Sequence, residues 1–213
     1  MLNNVLDFLF PPVCGVCGKI DKNWVCENCE KRIKRIERFV LIENLDKNFD
    51  KLIYVFNYEK LIRKLILRYK FSDKPYLSNF FLKIMLKNKK ICKILKNYDI
   101  IIPVPMSIKK KRIRGYNQTD LIAVILGKEL NKVVLIDGLL KIKETKTQSI
   151  LKLEDRQSNV KDAFIVNSNL DVKNKKIVIF DDIYTTGATV DECSKQLKLS
   201  GANEILVLVI AKD

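Results

Sequence analysis

Residues 176–189 read Lys-Ile-Val-Ile-Phe-Asp-Asp-Ile-Tyr-Thr-Thr-Gly-Ala-Thr, and a helical pattern opens straight after them. The run Ile177 to Phe180 is continuous, apolar and mostly β-branched, which marks a strand buried on both faces. Two carboxylates, Asp181 and Asp182, close it. In open α/β sheets, ligands sit in the crevice at the carboxyl ends of the strands. The turn that follows offers backbone N–H groups at a helix N-terminus and hydroxyls from Thr185, Thr186 and Thr189. Gly187 lets the chain approach closely, so Thr185, Thr186, Gly187, Ala188 and Thr189 make a seat for phosphate. The acids would repel that phosphate and suit donors such as vicinal ribose hydroxyls. The pattern predicts a sugar 5′-phosphate lying across a strand end. A plain N-capped helix, with Thr189 or Asp191 as cap and first-turn acid, does not explain why two acids and three threonines crowd one strand end.

The rest of the chain reads as alternating strand and helix. Residues 51–58 alternate Leu, Tyr, Phe, Tyr on one face and read as a strand. A helix follows over 59–69, and 75–97 is helical with a break near Asn88. Residues 99–105 form a buried strand stopped by prolines, and 117–130 a helix capped by Asn117 or Thr119. Short strands are expected at 132–136, 139–143 and 163–166, a helix at 190–199, and a last strand at 204–211. This alternation predicts a parallel sheet with right-handed crossovers over residues 49–213. Residues 1–38 stand apart as a cysteine knuckle followed by a basic helix over 30–38.

The knuckle holds two Cys-x-x-Cys pairs, Cys14 with Cys17 and Cys26 with Cys29. Two tight turns that each present two thiolates supply the soft tetrahedral set that zinc takes. Disulfides are the alternative. Residues 1–4 lack a basic start and Asp7 interrupts the first apolar run, so no secretory signal is expected. That favours the cytoplasm, where thiols stay reduced. Cys92 and Cys193 stand alone in helical patterns and read as small buried apolar residues. The chain has no histidine. That excludes Ser-His-Asp and Cys-His nucleophilic sites, and it makes any zinc site an all-cysteine, structural one.

Forty basic and 25 acidic residues leave a net charge of +15. Such an excess favours polyanions: nucleic acid, anionic lipid or a pyrophosphorylated substrate. Much of it is solvated lysine on helix faces, as at Lys83, Lys87, Lys89, Lys90, Lys93 and Lys96. The run Lys109, Lys110, Lys111, Arg112, Ile113, Arg114 is different, since five cations in six residues need solvent or an anion. Tyr69 beside Arg68 and Lys70, and Tyr116 after Arg114, place rings near cations. That suggests single-stranded DNA, with phosphates on the cations and bases stacked on the rings. No apolar run is long enough to span a membrane.

Three further marks lie in the middle of the chain. Pro103-Val104-Pro105 ends a buried strand, so Val104 and Pro105 could present backbone N–H and a tight turn to pyrophosphate, with Arg114 and Arg156 neutralising it. Residues 144–157 lack core periodicity and read as a mobile lid or a surface loop. In order, the two cysteine pairs, Pro-Val-Pro, Arg-Gly-Tyr-Asn-Gln at 114–118, Thr145-x-x-Gln148, Arg156-x-x-Asn159-Val160 and the 181–189 motif resemble the ComF family of bacterial natural competence over nearly the whole chain. The 176–189 stretch also resembles the phosphoribosyl-pyrophosphate (PRPP) signature of type I phosphoribosyltransferases. Lys141 and Lys143 stand where family members tend to carry arginines.

The resemblance implies a phosphoribosyltransferase-like α/β domain with a small four-cysteine zinc knuckle. It implies Asp181 and Asp182 on the ribose 2′- and 3′-hydroxyls, the 185–189 turn around the 5′-phosphate, and Mg²⁺ bound with PRPP. It also implies single-stranded DNA as partner during uptake, with competence-machinery proteins at the inner membrane. DNA-contact candidates are Lys109, Lys110, Lys111, Arg112, Arg114 and Tyr116. Three functions remain open: a DNA-binding competence factor with a PRPP site, a phosphoribosyltransferase acting on a small nucleobase or amine, and a non-catalytic PRPP or nucleotide sensor.

Overall fold

The computed structural model describes residues 12–71, 74–145 and 155–213. Eight strands form β1 (Val40–Glu43), β2 (Lys51–Asn57), β3 (Ile100–Pro103), β4 (Val133–Val134), β5 (Leu139–Lys141), β6 (Phe164–Val166), β7 (Lys176–Tyr184) and β8 (Glu204–Lys212) among the described residues. The helices are α1 (Glu27–Lys34), α2 (Lys60–Phe71), α3 (Leu77–Lys87), α4 (Lys89–Leu95), α5 (Ile108–Arg114), α6 (Gln118–Leu130), α7 (Asp155–Val160) and α8 (Ala188–Leu199). Among the described residues no helix is long and apolar enough to cross a membrane.

Six strands form one sheet in the order β1-β2-β8-β7-β3-β4. The neighbours from β2 to β4 are all parallel, and only the edge strand β1 runs antiparallel to β2. The expectation of a parallel α/β sheet is met except at that edge strand. Successive residues of β7 feed opposite cores: Val178 and Phe180 pack with α2, α3 and α6, whereas Ile177 and Ile179 pack with α8 and β6. Burial of both faces is why the strand is apolar without interruption. The crossover through α8 carries the chain from β7 to β8 on one side. The crossover through α6 carries it from β3 to β4 on the other. The order therefore reverses between β3 and β7, and the crevice that α/β sheets use for ligands opens there.

Several elements differ from expectation. The helix predicted over 30–38 starts earlier, at Glu27, and ends at Lys34. Strand β2 does not alternate: Leu52, Ile53, Val55 and Phe56 are all buried, because its side chains enter the cores on both faces of the sheet. The strands β5 and β6 leave the main sheet and pair antiparallel with each other. The break near Asn88 is a helix start, where its side chain accepts from the N–H groups of Lys90 and Ile91. Asn117 occupies the cap position of α6 but makes no side-chain cap. Its amide donates instead to Val104 O and to Asp120 Oδ1.

Candidate functional site

Strand β7 runs on past Phe180, so both acids lie on the strand rather than in the turn after it. The turn is Thr185 to Gly187, and Gly187 has φ of 77° just before α8. A Cβ there would sit 2.4 Å from the Tyr184 hydroxyl oxygen, so glycine is needed on both counts. Neither Thr189 nor Asp191 caps α8. The Asp191 carboxylate instead reaches back to accept from the backbone and side-chain N–H groups of Asn48, at 2.8 and 3.1 Å.

A cleft of about 530 Å³ opens over the switch point. Val104, Pro105, Met106 and Ser107 line it from the end of β3, and Asp181, Asp182, Thr185 and Thr189 from the end of β7. Val104 N donates to Phe180 O at 2.9 Å, which ties the two strand ends together. Arg63, Lys70, Lys110, Arg114, Lys141 and Arg156 supply six cations around it, against three carboxylates from Asp181, Asp182 and Asp213. The cleft thus brings together Asp181, Asp182, Thr185, Thr189, Val104, Pro105, Lys110, Arg114 and Arg156 from the sequence candidates. The remaining candidates Thr186, Gly187 and Ala188 shape the turn: the Ala188 N–H donates to Thr186 Oγ1 at 3.4 Å.

The acid pair is held under tension of charge. Lys70 Nζ lies 2.7 Å from Asp182 Oδ1. Asp181 Oδ1 accepts from the Asp182 N–H at 2.8 Å. Burial, and then the neighbouring Asp182 charge, push the Asp181 carboxyl up to about 7, while Lys70 and Lys141 pull against this. Burial lowers Lys110, Arg114 and Lys141 below their ordinary values. Partly desolvated cations of this kind gain from an anionic ligand, because it restores what burial removed. Lys141 also donates to Thr145 Oγ1 at 2.6 Å, at the place where the family tends to use arginine.

The cationic run at 109–114 is the helix α5. Ser107 caps it by accepting from the Lys110 N–H, and Gly115, with φ of 81°, ends it. Lys110 and Arg114 face the cleft, Lys111 lies 3.7 Å from Asp120, and Lys109 and Arg112 are exposed. Tyr69 is fully buried and its hydroxyl donates to Gln118 O, so it cannot stack bases, contrary to expectation. Tyr116 is half-buried, tilted against Tyr69, and donates to Tyr69 O. Of the expected lid, residues 146–154 and so Gln148 lie outside the described residues, and Asp155–Val160 is the helix α7.

Arg63, Leu67, Lys70 and Phe71 were not legible as cleft residues, because no local motif marks them. Their i, i+4, i+7, i+8 spacing on α2 places them on one face, and that pattern was available in the sequence.

The four knuckle thiols lie within 4.8 Å of one another. Cys17 Sγ and Cys26 Sγ are 3.8 Å apart. Metal–sulfur bonds of about 2.3 Å in a tetrahedron put the sulfurs about 3.8 Å apart. Cys14 Sγ accepts from the N–H groups of Val16 and Cys26. Burial alone would raise this thiol, but N–H groups from Cys17, Cys26 and Val16 outweigh it and bring Cys14 to about 6. These are the N–H···S bonds a metal-bound thiolate needs, and the four residues could hold a metal ion. Gly15 approaches α3 so closely that a Cβ would fall 2.5 Å from Leu77 Cδ2. Cys193 is buried as expected, whereas Cys92 is only half-buried and its thiol donates to Leu86 O.

No family model matches the chain. It is 29% identical to Competence protein F of Haemophilus influenzae over 205 residues, 94% of this chain and 85% of that protein. It is 24% identical to Competence protein ComFC of Bacillus subtilis, over 89% of this chain and 72% of the relative. Among solved structures it is similar to the glutamine PRPP amidotransferase of B. subtilis, with a TM-score of 0.45 and 18% identity, over 67% of this chain and 30% of that one. The likeness to these competence proteins runs over most of the chain and supports the ComF family for it.

Proposed function

We propose that the chain is a natural-competence factor that binds single-stranded DNA during DNA uptake and carries a PRPP site in the β3–β7 cleft. The observation behind this is one cleft that joins an acid pair, a threonine-rich helix-start turn and six cations. Asp181 and Asp182 accept from the ribose 2′- and 3′-hydroxyls. The turn from Thr185 to Thr189 takes the 5′-phosphate on its N–H groups and hydroxyls. The strand end at Val104 and Pro105, with Arg114 and Arg156, meets the pyrophosphate. Mg²⁺ comes with the ligand, bound through its phosphates and waters. Zinc occupies Cys14, Cys17, Cys26 and Cys29 as a structural ion, since no open position remains for chemistry.

The names of the relatives support the DNA-uptake setting; a cytoplasmic location and competence-machinery partners at the inner membrane are part of the proposal. The +15 charge and the exposed cations of α5 support DNA as a ligand. Tyr58, Leu67 and Ile183 add apolar side chains to the cleft lining. That lining favours a second function, phosphoribosyl transfer to a small nucleobase or amine. Loss of pyrophosphate needs positioning and charge neutralisation more than a strong base, so the lack of histidine is no obstacle.

Calorimetry of PRPP with Mg²⁺ and of single-stranded DNA, against one zinc-replete sample, tests both ligands. Both are expected to bind. The triple reversal K110E/K111E/R112E should abolish DNA binding, whereas K89E/K90E/K93E should lower it only as net charge falls. Equal affinities of the two triple variants would leave only non-specific charge attraction.

A further inference from the structure

The last residue of α2, Phe71, lies at the cleft with its side chain open to solvent: it is 69% exposed and still lines the cavity. A single exposed apolar side chain is ordinary on a protein surface. Its surroundings set this one apart. The Arg114 guanidinium carbon sits 4.8 Å from the centre of its ring. Arg114 is itself fixed by a hydrogen bond to the Gln118 side-chain oxygen. Helix α5, which carries Arg114, buries none of its residues. It forms a cationic rim, with Lys110 and Arg114 toward the cleft and Lys109 and Arg112 outward. Burial holds Lys110 and Arg114 below their ordinary values, so both gain from a nearby anion.

A flat apolar surface bordered by cations matches one kind of chain, in which planar rings alternate with phosphates. We infer that Phe71 and Arg114 form a stacking platform for an unpaired nucleobase of single-stranded DNA, with the flanking phosphates on the cations of α5. This rests on the DNA-binding function proposed above. It moves the stacking role from Tyr69, which is buried, to Phe71, and it places the strand at the mouth of the phosphosugar cleft. Base–aromatic stacking tolerates every sequence, because each base has a π-face. The neighbouring guanidinium adds a second planar group and a cation–π contribution.

The test measures affinity by fluorescence anisotropy for two labelled strands of equal length, an oligothymidine and an abasic strand, at one salt concentration. Wild type should prefer the oligothymidine by about tenfold. Phe71→Ala should bring that ratio close to one while affinity for the abasic strand stays unchanged, and Phe71→Trp should restore the preference. Equal melting temperatures of the three proteins establish that the variants fold. A preference that survives Phe71→Ala overturns the platform. So does a wild type that binds both strands equally, which leaves DNA binding itself standing on charge. A wild type that binds neither strand overturns the DNA-binding function and the platform with it.

Discussion

Lys70 Nζ lies 2.7 Å from Asp182 Oδ1, across the gap between the end of α2 and the end of β7. This ion pair is the contact that lets two adjacent carboxylates stand on one desolvated strand end. Lys70 is also among the charges that hold the neighbouring Asp181 down. A carboxyl whose folded value, about 7, lies above its unfolded one binds more protons in the folded state. Its contribution therefore favours folding at low pH and is lost as pH rises through about 7. Lys70→Met should steepen that loss. The variant is expected to lose about 2 kcal/mol at pH 8 and clearly less at pH 6, where the acid pair takes up a proton. Urea melts at the two pH values check this, and a cost equal at both would contradict it.

Two residues earlier on the same helix, Arg68 turns the other way. Its Nη1 donates to Gly15 O at 2.8 Å and to Val16 O at 2.6 Å, pinning the cysteine knuckle to α2. Arg68→Met should cost about 2 kcal/mol by leaving two partly buried carbonyls without a charged donor. Denaturant titration reads the loss, and a variant as stable as wild type would show the pin to be dispensable.

The four knuckle thiols predict close to one zinc per chain by metal analysis. Cys14→Ser with Cys17→Ser should abolish the metal. Because Cys14, Val16 and Cys29 share a core cluster with Leu77 and Tyr69, that double variant should also melt markedly lower. Full metal retention would remove these cysteines from the site.

Some of this was legible in the sequence because the signal is local. The run Ile177 to Phe180, the acids and the Gly187 turn are contiguous, so strand, turn and helix could be read as a unit. The Cys-x-x-Cys pairs likewise carry their geometry in their spacing. What failed needed partners far along the chain. Asp191 is a first-turn acid of α8, but its bond to Asn48, 143 residues away, could not be read locally. Tyr69 follows a cation and looks available, yet the helical period turns it into the core while Phe71 stays outside. Strands β5 and β6 are apolar like sheet strands, and only pairing across the chain decides that they form their own ribbon. Helix α5 was obscured by its own charge, although Ser107 and Gly115 mark its two ends.

At the amino ends of the parallel strands, Glu204 accepts from Tyr98 at 2.7 Å and pairs with Lys51 and Lys176 at 3.0 and 2.9 Å. Burial alone would raise this carboxyl, but the Tyr98 hydroxyl and the two lysines outweigh it and bring it to about 2. A depressed carboxyl stabilises the fold above its unfolded value and loses that contribution as pH falls through its folded one. Solvent screening leaves about 1–2 kcal/mol at neutral pH. Glu204→Gln should cost that amount at pH 7, and the gap to wild type should close as pH falls from about 4.5 toward 2. A gap independent of pH would mean that packing, not charge, sets the effect.

In the proposed function the acid pair is the seat of a ribose phosphate. Isothermal calorimetry of PRPP with Mg²⁺, on wild type and on the double variant Asp181→Ala with Asp182→Ala, tests it most directly. Loss of one charged acceptor is expected to weaken binding by about ten- to a hundredfold, and loss of both by more. Equal affinity in the two proteins would move the ligand out of this cleft.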